Sequence, residues 1–198
     1  MLDLIRNDHK NMAILIRLLR DKLERVTTDQ TIDYGLMRDV VEYLQEYADR
    51  YHHRYEDAVY GYYLEKTGQA AHCPVNKLEQ EHHRLEADTA EFRSMIEMIL
   101  LDSVVPRELF AERLAAFIEQ QQRHMDYEDQ EILPLLEREL TAEDWQLIQQ
   151  RLPAVEQSDD LQATVQRMDP LFGAEVAQRY RELALRLQRK ERNGETAS

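Results

Sequence analysis

With a single cysteine, Cys73, the chain cannot form an internal disulfide or a thiolate-rich zinc site, and a reducing compartment suits it. Glycine and proline are also scarce, five of each, and runs of β-branched residues are few, which leaves little to build or turn a sheet. No stretch of 18 apolar residues offers a membrane span. The charges of MLDLIRNDHK come too early for a signal-peptide core, so a soluble, cytoplasmic protein with no membrane partner is expected. Basic residues are outnumbered 25 to 39, and the formal charge of −14 repels nucleic acid and anionic lipid. What remains, 43% hydrophobic and 32% charged residues in a length of 198, suits one all-α domain with a substantial core.

Apolar residues recur at helical spacing in four long stretches. The first, about residues 2–26, carries Ile5, Met12, Ile16, Leu19, Leu23 and Val26, with His9 in the gap of that rhythm. Thr28 or Asp29 is the expected cap of a second helix reaching Lys66, with Met37, Val41, Leu44, Ala48, His52, Val59 and Tyr63 on its stripe and Gly68 as its stop. The third follows a loop at Cys73 and Pro74 and places His82 among Val75, Leu78, Leu85, Phe92 and Ile96. Pro106 opens the fourth, whose face reads Phe110, Leu114, Phe117, Gln121, His124, Glu128, Glu131 and Leu135. Thr141 caps a short fifth helix to Leu152, held to the bundle by Trp145. A last amphipathic helix at about 170–189 is expected as a lid or a homodimer contact, with NGETAS disordered. The predicted organisation is a bundle over 1–140, a helical extension over 141–192 and a tail over 193–198.

Two copies of one pattern stand out: His52-x3-Glu56 in YHHRYED and His124-x3-Glu128 in RHMDYEDQEILP. An i,i+4 spacing sets an imidazole and a carboxylate one above the other on a helix face. Short connections predict an up-down-up-down four-helix bundle. His9 and His82 then lie near the starts of their helices and His52 and His124 near the ends of theirs, each about 17 to 19 residues, or about 26 to 28 Å, from the opposite bundle end. All four imidazoles therefore share one layer. Burying them with two carboxylates would cost several kcal/mol per unpaired charge without a compensating cation. Imidazole and carboxylate suit iron, manganese or zinc, and six such ligands exceed the needs of one tetrahedral zinc. The expected centre holds two metal ions, iron first, with Zn or Mn as alternatives, ligated by His9, His52, Glu56, His82, His124 and Glu128.

These residues resemble the hemerythrin-like (HHE cation-binding) family over about residues 1–140. Its pattern appears as His9 in NDHKN, His52 and Glu56 in HHRYED, His82 in EQEHHRL, and His124 and Glu128 in HMDYEDQEILP. The resemblance implies a hemerythrin-like bundle with additional C-terminal helices and a non-haem di-iron centre that binds or senses oxygen or nitric oxide. Iron handling, repair of metal centres, or di-iron oxidase or peroxidase chemistry are the alternatives. Two departures separate the chain from oxygen-carrying members: Glu86 stands where they have a second helix 3 histidine, and the last motif is His-x3-Glu in place of His-x4-Asp. Ferritin-like di-iron bundles use Glu-x-x-His on two helices, and only Glu79-x-x-His82 fits here.

Several neighbours need placing. His53 and His83 are expected in solvent and His72 in a loop. Glu86 and Glu131 are expected to orient a ligand or face solvent. Among Tyr47, Tyr51, Tyr55 and Tyr127, the phenols of Tyr55 and Tyr127 are candidates to reach a bound oxygen species or ferric iron.

Overall fold

The computed structural model describes residues 2–28, 30–45, 48, 52–68 and 73–152. The chain divides by its contacts into two compact units, Met1–Ile148 and Gln149–Ser198, and the account that follows concerns the first. The expectations for Asp29, Tyr47, Tyr51, His72 and everything beyond residue 152, including the last helix and its dimer contact, lie outside the described residues.

Among the described residues the fold is entirely helical: α1 (Leu2–Thr27), α2 (Tyr34–Leu44), α3 (His53–Thr67), α4 (Leu78–Leu100), α5 (Arg107–Tyr127), α6 (Leu133–Glu139) and α7 (Ala142–Arg151). A 3₁₀ turn, Pro74–Lys77, leads into α4. The four rods of the bundle are α1, then α2 with α3, then α4, then α5 with α6. Among them α1 packs on α5, α2 on α4, and α4 on both α3 and α5.

Local chemistry sets most helix ends. Gly68 closes α3 in the left-handed conformation, φ 74°, which a side chain would strain. Thr141 and Asp144 form a reciprocal capping box at α7: Thr141 N–H donates to Asp144 Oδ2 at 2.7 Å and Asp144 N–H to Thr141 Oγ1 at 3.3 Å. The polar anchor of α7 is that same Asp144, which accepts from Tyr62 at 2.7 Å and pairs with Lys66, while Trp145 is half-buried. The cap of α2 differs from expectation. Thr28 turns its hydroxyl back to the Glu24 carbonyl at 2.8 Å, and Asp33 caps the helix by accepting from Leu36 N–H at 3.0 Å. Arg107 donates to the carbonyls of Arg25, Val26 and Gln30, tying the end of α1 to the start of α5.

One part of the bundle is conventionally apolar. Leu19, Met37, Val40, Val41, Ile96 and Leu114 are fully buried there, and Phe92 stacks between Phe110 and Phe117 at 5.7 and 5.0 Å. Elsewhere the same inward stripes carry His9, His52, His82, His124, Glu56 and Glu128, all buried.

Two rods depart from α geometry where they meet this polar layer. Gln45, Ala48 and His52 have π-type hydrogen bonding ahead of α3. Between α5 and α6 a π turn covers Glu128–Ile132, and Leu133 N–H donates to the Glu128 carbonyl five residues back. Such single turns carry an extra residue and are common at functional sites. The extra residue explains why the expected stripe of the fourth rod fails after Glu128. The buried series continues through Ile132, Leu133 and Leu136, so Glu131 is exposed and Leu135 only half-buried.

Replacing Asp33 by Ala removes the cap of α2 and is expected to lower stability by about 1 kcal/mol. Urea unfolding would show a lower midpoint at unchanged slope. An unchanged midpoint would mean that the α2 terminus is satisfied by solvent.

Candidate metal centre

The alternating rods bring the six expected residues into one layer. His9 Nε2 lies 3.1 Å from His52 Nε2, and the rings of His82 and His124 meet edge to face at 4.9 Å. Between these pairs stand Glu56 and Glu128, both with 0% exposure. Glu56 turns Oε1 toward His9 and His52, at 3.4 and 3.2 Å, and Oε2 toward His82 at 3.6 Å. Glu128 places Oε1 3.4 Å from His82 and Oε2 3.4 Å from His9 and 3.3 Å from His124. Each carboxylate thus faces imidazoles on both sides of the layer.

Every one of the four imidazoles presents Nε2 inward and Nδ1 to a second, outer carboxylate. His52 Nδ1 faces Asp8 at 3.3 Å, His82 Nδ1 faces Asp57 at 2.7 Å, and His9 Nδ1 faces Asp129 at 2.9 Å. His124 Nδ1 faces Glu81 at a longer 3.6 Å. A proton held on Nδ1 by such an acceptor leaves Nε2 as the free donor and makes it more basic. These four acids escaped the sequence reading. Each adjoins an inner residue in the chain (Asp8–His9, Glu56–Asp57, Glu81–His82, Glu128–Asp129), but each serves an imidazole on the next rod, and that could not be read from one helix at a time.

The electrostatics of the chain alone put protons where a cation would go. Burial disfavours charge on His9, but the nearby carboxylates of Glu128 and Glu56 outweigh it and raise its pKa to about 11. The same contest, won by Glu56 and Asp8, takes His52 to about 9; Asp57, Glu128 and Glu56 take His82 to about 10. Glu128 is pushed up by burial and by Glu56, yet the imidazoles of His124, His82 and His9 hold it at about 2. Glu56 is likewise held well below its ordinary value by His52, His9 and His82 against the effect of burial.

Protonation does not satisfy the whole cluster. Both oxygens of Glu56, Oε2 of Glu128 and both ring nitrogens of His124 are buried without a hydrogen bond. Native interiors rarely tolerate that. Their donors gather into two groups, His9, His52, Glu56 and Glu128, and His53, Glu56, His82 and His124, in each of which the ligand atoms lie within 4.8 Å of one another. Nitrogen and oxygen donors converging at that span suit iron, manganese or zinc.

His53 is a correction. Expected in solvent, it is 5% exposed, with its ring stacked on His82 at 4.3 Å and 9°. The buried face of α3 is two residues wide, taking His53 and Tyr55–Glu56, then Val59–Tyr60 and Tyr62–Tyr63. A single stripe drawn through His52 could not predict that breadth. His83 does lie outside, 72% exposed beside Glu86, which is itself a surface residue. The phenol that bonds a central carboxylate is Tyr60, outside the expected pair. Tyr127 donates outward to the Pro74 carbonyl at 3.3 Å and Tyr55 is buried, whereas Tyr60 donates to Glu128 Oε1 at 2.8 Å. Burial, Glu56 and Glu128 together raise the Tyr60 pKa well above its ordinary value, so it remains a donor.

Fold and site define a helical bundle of the kind that carries a metal centre between its rods. The chain belongs to the hemerythrin HHE cation binding domain family, whose model matches residues 1–136. Its two His/carboxylate groups are arranged like the metal sites of that family. No curated protein and no solved structure matches it. Among the described residues no helix is long and apolar enough to cross a membrane.

The raised imidazole values make the stability of the cation-free chain depend on pH. A group that holds its proton more tightly when folded stabilises fully below its unfolded pKa, about 6.5 for histidine, and loses that contribution as pH rises through the folded value. For His52, His82 and His9 the loss runs from about pH 6.5 through about 9, 10 and 11. The thermal midpoint of chelator-stripped protein is therefore expected to fall between pH 7 and 10 more steeply than that of protein reloaded with Fe(II). Parallel curves for the two forms would contradict it.

Proposed function

We propose that the protein holds two iron ions between Glu56 and Glu128, with His9 and His52 serving one and His82 and His124 the other, and that it binds or senses a small diatomic ligand, oxygen or nitric oxide. Zinc or manganese would satisfy the same donors. The observation that carries the reading is the pair of fully buried carboxylates, each facing imidazoles on both sides of the layer. Iron held in this way supplies a redox-active centre at which a diatomic molecule can bind. The protein's part is to orient Nε2 of each imidazole through Asp8, Asp57, Glu81 and Asp129, to fix Glu128 through Tyr60, and to keep the centre dry.

Binding or sensing is preferred to turnover. A ferritin-like oxidase would need Glu-x-x-His ligands on two helices, and the one candidate, Glu79 before His82, is exposed. Iron handling, or repair of another protein's metal centre, would use the same ligands and differ in how readily they release the metal.

Purified protein reconstituted anaerobically with Fe(II) is expected to bind two irons per chain and to change its absorption on adding oxygen or nitric oxide. His52→Ala and Glu128→Ala should each lose iron and the charge-transfer bands, and unchanged iron content in both would refute the ligand assignment. Asp57→Asn leaves His82 in place without its acceptor and should weaken iron binding by about 10- to 100-fold. Rapid transfer of the iron to an apo acceptor would favour delivery over sensing.

A further inference from the structure

We infer that α7 reports the state of the metal layer: Tyr62 and Lys66 on α3 hold Asp144, so that the position of α3 in the layer decides whether the first turn of α7 stays docked and capped. The inference rests on the two-metal reading above and gives its sensing role an output.

Along its length α3 is stitched to the chain that follows the layer on the fourth rod. Tyr60 donates to Glu128 in the π turn at 2.8 Å, Tyr63 to Glu139 at the end of α6 at 2.6 Å, and Tyr62 to Asp144 in the first turn of α7 at 2.7 Å. Lys66, one turn beyond Tyr62, pairs with Asp144 and donates to the Glu139 carbonyl at 3.3 Å. The helix that carries these donors also carries Glu56, which belongs to both groups of converging ligand atoms. Glu56 and Tyr62 are six residues apart on that helix, about 9 Å. A displacement of Glu56 along the axis therefore reaches Tyr62 and Lys66.

Asp144 joins two roles in one carboxylate. Its Oδ2 caps α7 by accepting from Thr141 N–H at 2.7 Å, while its Oδ1 accepts from the Tyr62 phenol. Only Leu140 and Thr141 separate α6 from α7, and Leu140 is extended at φ −95° and ψ 129°, so α7 can turn there without unwinding α6. A shift of α3 by about an ångström takes the Tyr62 bond out of hydrogen-bonding range. Asp144 must then follow α3 and leave the cap, or keep the cap and leave α3. Either way α7 loosens. Converged ligand atoms and a docked α7 occur together in one conformation. Metal loading favours convergence and so favours docking. The chain leaves the first unit through α7, since Gln149 begins the second. A purely structural anchor would hold α7 equally well with or without metal.

The test is amide hydrogen exchange of the full chain, iron-free and after anaerobic loading with Fe(II), read over residues 142–148. In wild type these amides should exchange about fivefold or more slowly when iron is bound. Tyr62→Phe combined with Lys66→Met removes both links and leaves the Thr141–Asp144 box intact. That variant should still take two irons, exchange fast in α7 with or without them, and bind iron more weakly by the factor lost in α7, because coupling is reciprocal. Tyr62→Phe alone, a milder change, should give an intermediate response. Asp33→Ala, which loosens α2 instead, should keep the full iron dependence of α7. Two irons bound by wild type with equal α7 exchange in both forms, or an unaltered iron dependence in the double variant, would overturn the output and leave the two-metal reading intact. Fewer than two irons in wild type would overturn that reading itself, and this inference with it.

Discussion

Two carboxylates sealed from solvent at the centre of a helical bundle constrain nearly everything around them. Glu56 and Glu128 are both completely buried, and an unpaired ion there would cost several kcal/mol. Each rod answers by turning an imidazole toward them: α1 sends His9, α4 sends His82 and α5 sends His124, while the rod ending in α3 sends His52 and His53. Tyr60 adds a hydroxyl to Glu128. Even so, three of the four carboxylate oxygens lack a hydrogen bond, so the chain's own groups attract but do not saturate them. A surplus of acceptors beside inward-facing imidazole nitrogens is the condition under which a cation, and not more protein, completes a site.

The outer acids form a closed circuit. Asp8 on α1 supports His52 on the second rod, and Asp57 on α3 supports His82 on the third. Glu81 on α4 faces His124 on the fourth, and Asp129, in the π turn of the fourth, returns to His9 on the first. Each rod therefore gives an imidazole and receives none of its own support. The π geometry belongs to this circuit, since His52 has π-type hydrogen bonding and the π turn of the fourth rod contains both Glu128 and Asp129. The extra residue lets Glu128 face inward and its neighbour Asp129 face the adjacent rod, while the apolar stripe resumes one position later at Ile132.

How much of this could be read from the chain follows from what each signal depends on. Inward direction depends on period, and the 3.6-residue rhythm correctly turned His9, His82 and both His-x3-Glu pairs toward the core. Common depth depends only on counting residues from helix ends, and it held. What failed needed local departures from the ideal helix or knowledge of a neighbour. Leu135 leaves the buried stripe because of the π turn, and Glu131 takes the solvent-facing one of the two positions open to it. His53 was misplaced by the breadth of the α3 face, and the cap of α2 by competition between Asp33 and nearer hydroxyls. Tyr60 and the four outer acids are defined by contacts between residues 25 to 120 positions apart in sequence and on different rods, and periodicity within one helix contains no such information.

The circuit also makes the site a lock on the register of the bundle. Sliding one rod past its neighbours by a single turn moves its side chains by about 5.4 Å, whereas the contacts in question span only 2.7 to 3.6 Å. A slip of the second rod would separate His52 from Asp8 and Asp57 from His82 in the same movement, and would draw Glu56 away from the imidazoles of the first and third rods. An apolar interface would resist such a slip weakly, because one leucine replaces another at nearly the same energy. The polar layer does not, because every misplaced member leaves two buried groups without partners. The same residues that prepare the centre for a cation thus fix which helix level faces which, and the apolar part of the bundle supplies the cohesion that keeps the layer dry.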